Sequence, residues 1–85
     1  MTDGFVIYTK RGCHYCESAI ALLTSKGVSY SELVVGEDLS PDEFKSLHPL
    51  VHYVPYVINR GRVIGGYSDL VEHFQSKATL LTEEE

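Results

Sequence analysis

Two cysteines separated by two residues are the side chains of this 85-residue chain whose type and spacing best predict chemistry. Cys13 and Cys16 enclose His14 and Tyr15, and the sequence has no third cysteine. The Cys-x-x-Cys spacing is typical of redox-active dithiols and also of half a zinc site. On a helix, thiols three residues apart lie on one face, within reach of a disulfide. The segment therefore predicts either dithiol chemistry or metal binding.

The zinc alternative requires two further ligands, which His48 and His52 could supply. The 31 residues between Cys16 and His48 far exceed the spacing of about a dozen in finger modules. The Ser40–Glu43 segment also has the pattern of a capping box, which predicts a helix inside that gap. We therefore disfavour structural zinc and place the histidines at a helix end and in a loop.

Dithiol chemistry requires a thiolate, and a free cysteine with a pKa of about 8.5 is mostly protonated at neutral pH. Cys13 stands at the predicted start of a helix, where unpaired N–H groups and the helix dipole stabilise negative charge, and Lys10 adds a nearby cation. Cys16 falls on the apolar face of that helix, which predicts burial and a higher pKa. Cys13 is thus the expected nucleophile and Cys16 the expected resolving thiol.

Apolar periodicity predicts seven elements in the order βαβαββα that must position these cysteines. They are a buried strand over Phe5–Tyr8, a helix over His14–Lys26 before Gly27, a second buried strand over Tyr30–Val35, a helix from Pro41 that stops before Pro49, two strands over Val54–Ile58 and Arg62–Ile64 joined by a tight turn, and a last helix capped by Ser68.

This order predicts an α/β fold with a mixed four-stranded sheet, parallel in its first half, and helices on both faces. The whole chain, residues 1–85, is predicted to be a single domain, with a frayed acidic end over about residues 79–85. The cysteines fall in the first βα turn. In open α/β sheets, this is where strand carboxyl ends and helix amino ends meet ligands.

Charge and hydropathy exclude several classes of function. The net charge of −5 argues against general binding to nucleic acid or anionic membrane. The chain has neither a long apolar segment nor a basic leader, so we expect no membrane span and no signal peptide. A monomer in the cytoplasm is the resulting expectation, and in that reducing compartment a Cys-x-x-Cys pair is more often catalytic than a structural disulfide.

Four motifs together resemble the glutaredoxins across most of the chain. These are the strand Phe5–Tyr8 followed by Lys10, the dithiol Cys13–Cys16, the pair Val54-Pro55 and the segment Gly65–Asp69, in the order of that family and at nearly its spacing. The resemblance implies the thioredoxin fold, glutathione as reductant and a cis peptide bond before Pro55.

The resemblance also implies a glutathione-binding site. Its implied members are Lys10 at the glycyl carboxylate, Tyr15 in the groove wall, the backbone of Val54 before Pro55 opposite the glutathione cysteine, Gly66 where the chains approach closely, and Ser68 with Asp69 at the γ-glutamyl end. A helix N-terminus binds a carboxylate, and the Asp69 side chain would receive the ammonium group.

Three residues depart from the pattern of the family. His14 replaces the proline that is commonest between the two cysteines, and we expect it to tune the thiol pKa and the redox potential. Tyr53 and Tyr56 flank Val54-Pro55 where the family often has Thr and Gln, which predicts different contacts to the glycyl end of glutathione.

The resulting expectation is a glutathione-dependent thiol-disulfide oxidoreductase that reduces protein disulfides and glutathionylated thiols. Two alternatives stay open. One is an electron donor recharged by thioredoxin reductase, serving for example ribonucleotide reductase. The other is a carrier of a [2Fe-2S] cluster held between two chains by Cys13 and two glutathione thiols.

Overall fold

The computed structural model describes residues 4–83, with the side chains of residues 4–75, and contains the seven predicted elements in the predicted order. They are β1 (Phe5–Thr9), α1 (His14–Ser25), β2 (Tyr30–Val34), α2 (Pro41–Leu47), β3 (Tyr56–Asn59), β4 (Arg62–Gly65) and α3 (Tyr67–Glu83). Most bounds agree with the prediction to within one residue. The largest difference is at β3, which begins two residues later than predicted because Val54-Pro55 precedes the strand rather than opening it.

The four strands form one mixed sheet in the order β2-β1-β3-β4. Strand β1 is parallel to β2 and antiparallel to β3, which is antiparallel to β4. The predicted mixed sheet is therefore confirmed. One detail was wrong: β2 is not a buried strand, because it lies at the sheet edge, and Ser31 and Glu32 are exposed.

Helices cover both faces of the sheet, as predicted. On one face α1 and α3 enclose a core whose largest fully buried side chains are Ile7, Leu23, Val57 and Leu70. On the opposite face α2 contributes Phe44, which packs against the rings of two neighbouring strands, Tyr8 and Tyr56. Packing on both faces of the sheet thereby fixes the end of β1 relative to the start of α1.

The hairpin between β3 and β4 is formed by the two residues Arg60 and Gly61. Both have positive φ, 53° and 81°, which is the conformation of a type I′ turn and matches the twist of the paired strands. This confirms the predicted tight turn. It places the end of β4 beside the start of α3, where the Gly65-Gly66 pair lies.

The two later helices begin in different ways. Helix α2 has the predicted capping box: the Ser40 hydroxyl accepts from the Glu43 N–H at 3.0 Å, and the Glu43 carboxylate accepts from the Ser40 N–H at 2.7 Å. We predicted that Ser68 caps helix α3, and this was wrong. The helix already begins at Tyr67, so Ser68 lies inside its first turn.

Gly66 takes the cap position of α3. Its carbonyl accepts the first helical hydrogen bond, from the Leu70 N–H at 3.0 Å, and its N–H donates to Asp69 Oδ2 at 3.0 Å. A carboxylate three residues into the helix thus satisfies the cap residue, which is half of a capping box. The preceding Gly65 has φ of 119°, and a Cβ there would collide with the Asp69 carboxylate. Glycine at this position permits the bond.

The backbone of α3 continues to Glu83, so residues 79–83 of the predicted acidic end are helical, while Glu84 and Glu85 lie outside the described residues. The frayed end stays a prediction. Over the part of the chain that the structure describes, no helix combines the length and apolar character needed to cross a membrane.

Candidate functional site

Cys13 occupies the N-cap of α1, immediately after the turn that follows β1. Its backbone is extended, with φ of −95° and ψ of 110°, and its Sγ accepts from the Cys16 N–H at 3.2 Å. An N-cap side chain normally satisfies one of the unpaired N–H groups of the first turn through an oxygen. Here a sulfur takes that role. Negative charge on Cys13 is therefore stabilised by a backbone donor and by the positive end of the helix dipole.

Cys16 lies one helical turn later and is buried, with 3% of its surface exposed. Both cysteines are free thiols. Burial, and secondarily the hydrogen bond with Cys13, raise the pKa of Cys16 to about 12, against the opposing effect of the Lys10 backbone N–H and charge. The predicted burial of Cys16 is confirmed, and this burial favours the protonated thiol, in agreement with the predicted high pKa.

The loop before β3 lies opposite Cys13. The Val54–Pro55 peptide bond is cis, as the resemblance implied. The Cys13 thiol donates a long hydrogen bond to the Val54 carbonyl, with 3.9 Å between sulfur and oxygen. The two segments, 41 residues apart in sequence, thus meet at the nucleophilic sulfur.

Beside this contact is a groove of about 280 Å³ whose walls are largely aromatic. Tyr15 is 63% exposed, and its ring centroid lies 5.9 Å from that of Tyr67. Tyr53 approaches Gly66 from the other side: a Cβ on Gly66 would lie 3.4 Å from Tyr53 Cε1. The residues that line the groove are Tyr15, Tyr53, Val54, Pro55, Gly66, Tyr67 and Ser68.

The groove unites five of the residues predicted to bind glutathione, whereas Asp69, in the first turn of α3, lines a separate cavity beside β4. Lys10 is not among them. It is exposed and lines a separate cavity on the other side of the dithiol. Tyr67 was not predicted to line the groove, although its place in the Gly-Gly-Tyr-Ser-Asp segment was a signal for it.

Tyr56 does not line the groove. Only 5% of its surface is exposed, and its ring packs against those of Phe44 and His48 in the core beneath α2. Burial raises its pKa. Successive side chains of a strand point to opposite faces of the sheet, and that of Tyr56, the first residue of β3, lies on the face opposite α1. Of the two tyrosines that flank Val54-Pro55, only Tyr53 can contact a ligand in the groove.

His48 also belongs to this aromatic core, with its Nε2 3.3 Å from the Tyr8 hydroxyl. It ends α2, as expected for a helix-end residue. Among residues 4–75, no cluster of three or more His, Cys, Asp or Glu side chains could hold a metal ion. The cluster-carrier alternative, the tuning role of His14 and the cytoplasmic location stay predictions.

The cavity on the other side of the dithiol has a volume of about 480 Å³, and its lining combines charged and polar residues with the apolar residues Ile20, Ala21 and Val34. Thr9 and Glu32 both line this cavity, and Thr9 is only 2% exposed. The Thr9 hydroxyl donates to Glu32 Oε2 at 2.7 Å. Lys10, Cys13, Cys16 and Glu17 also border the cavity. Thr9 and Glu32 were not predicted as site residues, because their only signal in the sequence was a carboxylate within an otherwise strand-like segment.

Next to this cavity Arg11 forms a two-pronged ion pair with Glu37, through Nε and through a second guanidinium nitrogen at 2.9 Å. The pair raises the pKa of Arg11 and lowers that of Glu37. Lys10, by contrast, lies close enough to Cys16 for its backbone N–H and its charge to favour the thiolate. The local positive charge next to the dithiol therefore comes mainly from Lys10.

The chain is similar to known proteins over most of its length. A protein-family model described as Glutaredoxin matches residues 5–64. The chain is 41% identical over 64 residues to Glutaredoxin 3 of Escherichia coli strain K12, covering 75% of this chain and 77% of that protein. It is also 37% identical over 72 residues to the hybrid peroxiredoxin hyPrx5 of Haemophilus influenzae. That match covers 85% of this chain but only 30% of the longer relative.

Solved structures show the same fold. The holo form of glutaredoxin C1 from Populus tremula x tremuloides superimposes with a TM-score of 0.73 at 29% identity, over 91% of this chain and 79% of that one. A wheat glutaredoxin superimposes with a TM-score of 0.76 at 26% identity, over 94% and 80% of the two chains.

Proposed function

Since the chain belongs to the glutaredoxin family, has its thioredoxin fold and is a thiol-disulfide oxidoreductase, we propose that its electrons come from glutathione and pass to protein disulfides and glutathionylated thiols. The observation that carries this proposal is the groove beside Cys13. Tyr15, the Val54 backbone and the start of α3 line this groove, and the Val54 carbonyl contacts the Cys13 sulfur. A short peptide with a central cysteine fits such a groove in extended form.

The chemistry of glutathione supports this assignment. Its γ-glutamyl end carries a carboxylate and an ammonium group. The first-turn N–H groups of α3, beside Gly66 and Ser68, are suited to the carboxylate. The Asp69 carboxylate, which already accepts from the Gly66 N–H through Oδ2, retains acceptor capacity for the ammonium group.

The central cysteine of glutathione then lies against Val54. An extended peptide pairs with free backbone groups, and the Val54 carbonyl already faces the Cys13 sulfur. Lys10 borders the dithiol from the other side and supplies positive charge for the glycyl carboxylate. Tyr53, which approaches Gly66, belongs to the γ-glutamyl half of the groove rather than the glycyl half.

The proposed reaction is two successive thiol-disulfide exchanges. The Cys13 thiolate attacks a protein disulfide, forms a mixed disulfide and releases one protein thiolate, which takes up a proton. Cys16 then loses its proton and attacks Cys13, so that the Cys13–Cys16 disulfide forms and the second protein thiol leaves. Two glutathione molecules reduce that disulfide and become glutathione disulfide. A glutathionylated thiol needs only Cys13, which carries the glutathione until a second glutathione removes it.

The test is a coupled assay with glutathione, glutathione reductase and NADPH, on a protein disulfide and on a glutathionylated peptide. We expect the wild type to reduce both substrates. Cys13→Ser should lose both activities, because no nucleophile remains at the groove. Cys16→Ser should lose most protein-disulfide reduction and keep deglutathionylation.

A parallel assay replaces glutathione and its reductase with thioredoxin reductase. Wild-type turnover with thioredoxin reductase but none with glutathione would overturn the proposal in favour of the alternative electron donor. Full protein-disulfide reduction by Cys16→Ser would contradict the division of roles between the two cysteines.

A further inference from the structure

The resolving step of the proposed reaction requires Cys16 to lose a proton, and the residues that line the groove include no carboxylate or histidine to take it up. Neither cysteine is among the residues that line the groove, and both border the charged cavity on the other side of the dithiol. Cys16 is 3% exposed, and burial favours the protonated form of its thiol. An acceptor in the charged cavity would remove this obstacle without exposing Cys16 to bulk solvent.

Two carboxylates line that cavity, Glu17 and Glu32. Glu32 pairs with Ile7 across the β1–β2 ladder, so both side chains emerge on the sheet face that α1 covers. Its Oε2 is held by the hydroxyl of Thr9, a residue buried at the foot of α1. The second oxygen of the carboxylate is thereby left to accept from the cavity. Glu17 lines the same cavity from α1 and, like Glu32, is exposed.

We propose that Glu32 accepts the Cys16 proton, through water in this cavity, as Cys16 attacks the mixed disulfide on Cys13. The cavity volume of about 480 Å³ has room for on the order of ten waters at about 30 Å³ each. The S–H bond of Cys16 breaks, its proton passes through water to the Glu32 carboxylate, and the Cys13–Cys16 disulfide forms while the substrate thiolate leaves. Thr9 is a positioning residue that fixes the carboxylate. The proposal deepens the proposed function and rests on its resolving step.

The other ionisable groups that face this cavity are compatible with the assignment. From the loop before α1 come Lys10 and Arg11, and α1 contributes Cys13, Cys16 and Glu17. Lys10 favours the thiolate of Cys16, and Arg11 is attracted to Glu32 as well as to its partner Glu37. Of the two carboxylates that line the cavity, Glu32 is thus the one that accepts a hydrogen bond from the buried Thr9.

A stopped-flow reaction of the reduced protein with excess dithiobis(nitrobenzoate) separates the two thiols in one trace. Cys13 releases the first thionitrobenzoate, and attack by Cys16 on the resulting mixed disulfide releases the second. We expect Glu32→Gln to slow the second phase about tenfold at neutral pH, a fraction of what general base catalysis can supply, and to leave the first unchanged. The rate of the second phase should depend less steeply on pH in the wild type than in the variant. In the variant it should rise about tenfold per pH unit, since hydroxide remains the acceptor.

The controls use the same cavity. Glu17→Gln removes the same charge and should leave the second phase unchanged. Thr9→Val should slow that phase, and Thr9→Ser, which keeps the hydroxyl, should restore it. An unchanged second-phase rate and pH profile in Glu32→Gln would overturn the proposal. Equal slowing of both phases in Glu32→Gln would overturn it too, as would a second phase slowed as much in Glu17→Gln as in Glu32→Gln. The reaction needs no glutathione, so a failure of glutathione dependence in the coupled assay would leave this test intact.

Discussion

The two sides of the dithiol differ in chemistry, and the difference separates the roles of the two cysteines. On one side is a groove walled by the tyrosines Tyr15, Tyr53 and Tyr67, to which Cys13 is joined through the Val54 carbonyl. On the other is a larger charged cavity, which both cysteines border and which contains the Thr9–Glu32 hydrogen bond. The groove is suited to hold a peptide-like substrate, and the cavity is suited to handle a proton.

This separation follows from the first turn of α1. Cys13, as N-cap, is half-exposed and directed toward the loop before β3, whereas Cys16 has entered the face that packs on the sheet. One helical turn of about 5.4 Å therefore takes the chain from solvent to core. The same turn keeps the two sulfurs near enough to form a disulfide once Cys16 reacts.

The largest expected effect on the groove side is at Asp69. Asp69→Ala should raise the KM for glutathione about tenfold, because a charge-assisted hydrogen bond to the ammonium group contributes about 1.5–3 kcal/mol. It should also destabilise the fold by about 1 kcal/mol through loss of the bond to the Gly66 N–H. Steady-state kinetics and denaturant unfolding measure the two effects.

Asp69→Asn is the matched control, because an amide oxygen can still accept from Gly66 but carries no charge. We expect it to keep most of the stability and still to raise the KM. A KM equal to that of the wild type in both variants would remove the γ-glutamyl end from this part of the groove.

A smaller effect is expected on the cavity side, in the pH dependence of stability. The folded pKa of Cys16, about 12, lies above its unfolded value of about 8.5. The stability that this thiol contributes is therefore fully present below about pH 8.5 and is lost as the pH rises toward the folded pKa. The loss is at most about 1.4 kcal/mol per pH unit.

Denaturant unfolding of the reduced wild type and of Cys16→Ala at about pH 7.5 and about pH 9.5 isolates this contribution, since the other groups titrate in both proteins. The wild type should lose more stability between the two pH values than the variant. Equal losses would show that Cys16 is not shielded from solvent and would weaken the contrast between the two sides.

Much of the fold follows from local sequence signals. The capping box at Ser40, the Arg60-Gly61 turn and the run from Phe5 were sufficient to predict the element order and the mixed sheet. The start of α3 was misplaced because two residues compete for the cap: Ser68 has the side chain of a typical cap, but the Asp69 carboxylate satisfies Gly66 instead. That choice depends on the approach of β4, which sequence pattern does not encode.

The site was predictable where its residues belong to motifs and unpredictable where tertiary packing decides. The dithiol and Val54-Pro55 were found from spacing and resemblance, and their contact is observed. The burial of Tyr56 was not predicted, because it depends on which face of the sheet the first residue of β3 occupies. Glu32 was missed because its importance depends on the Thr9 hydroxyl, which belongs to another strand.

The central claim is that glutathione lies in the tyrosine groove, with only its glycyl carboxylate directed toward Lys10, and does not fill the charged cavity. Amide resonances of isotope-labelled Cys16→Ser test it directly, recorded before and after Cys13 is converted to its mixed disulfide with glutathione. We predict the largest shifts along the groove, at Tyr15, Val54 and Gly66–Ser68, with little change at Glu32. Shifts concentrated at Glu32 and the neighbouring cavity residues would contradict it.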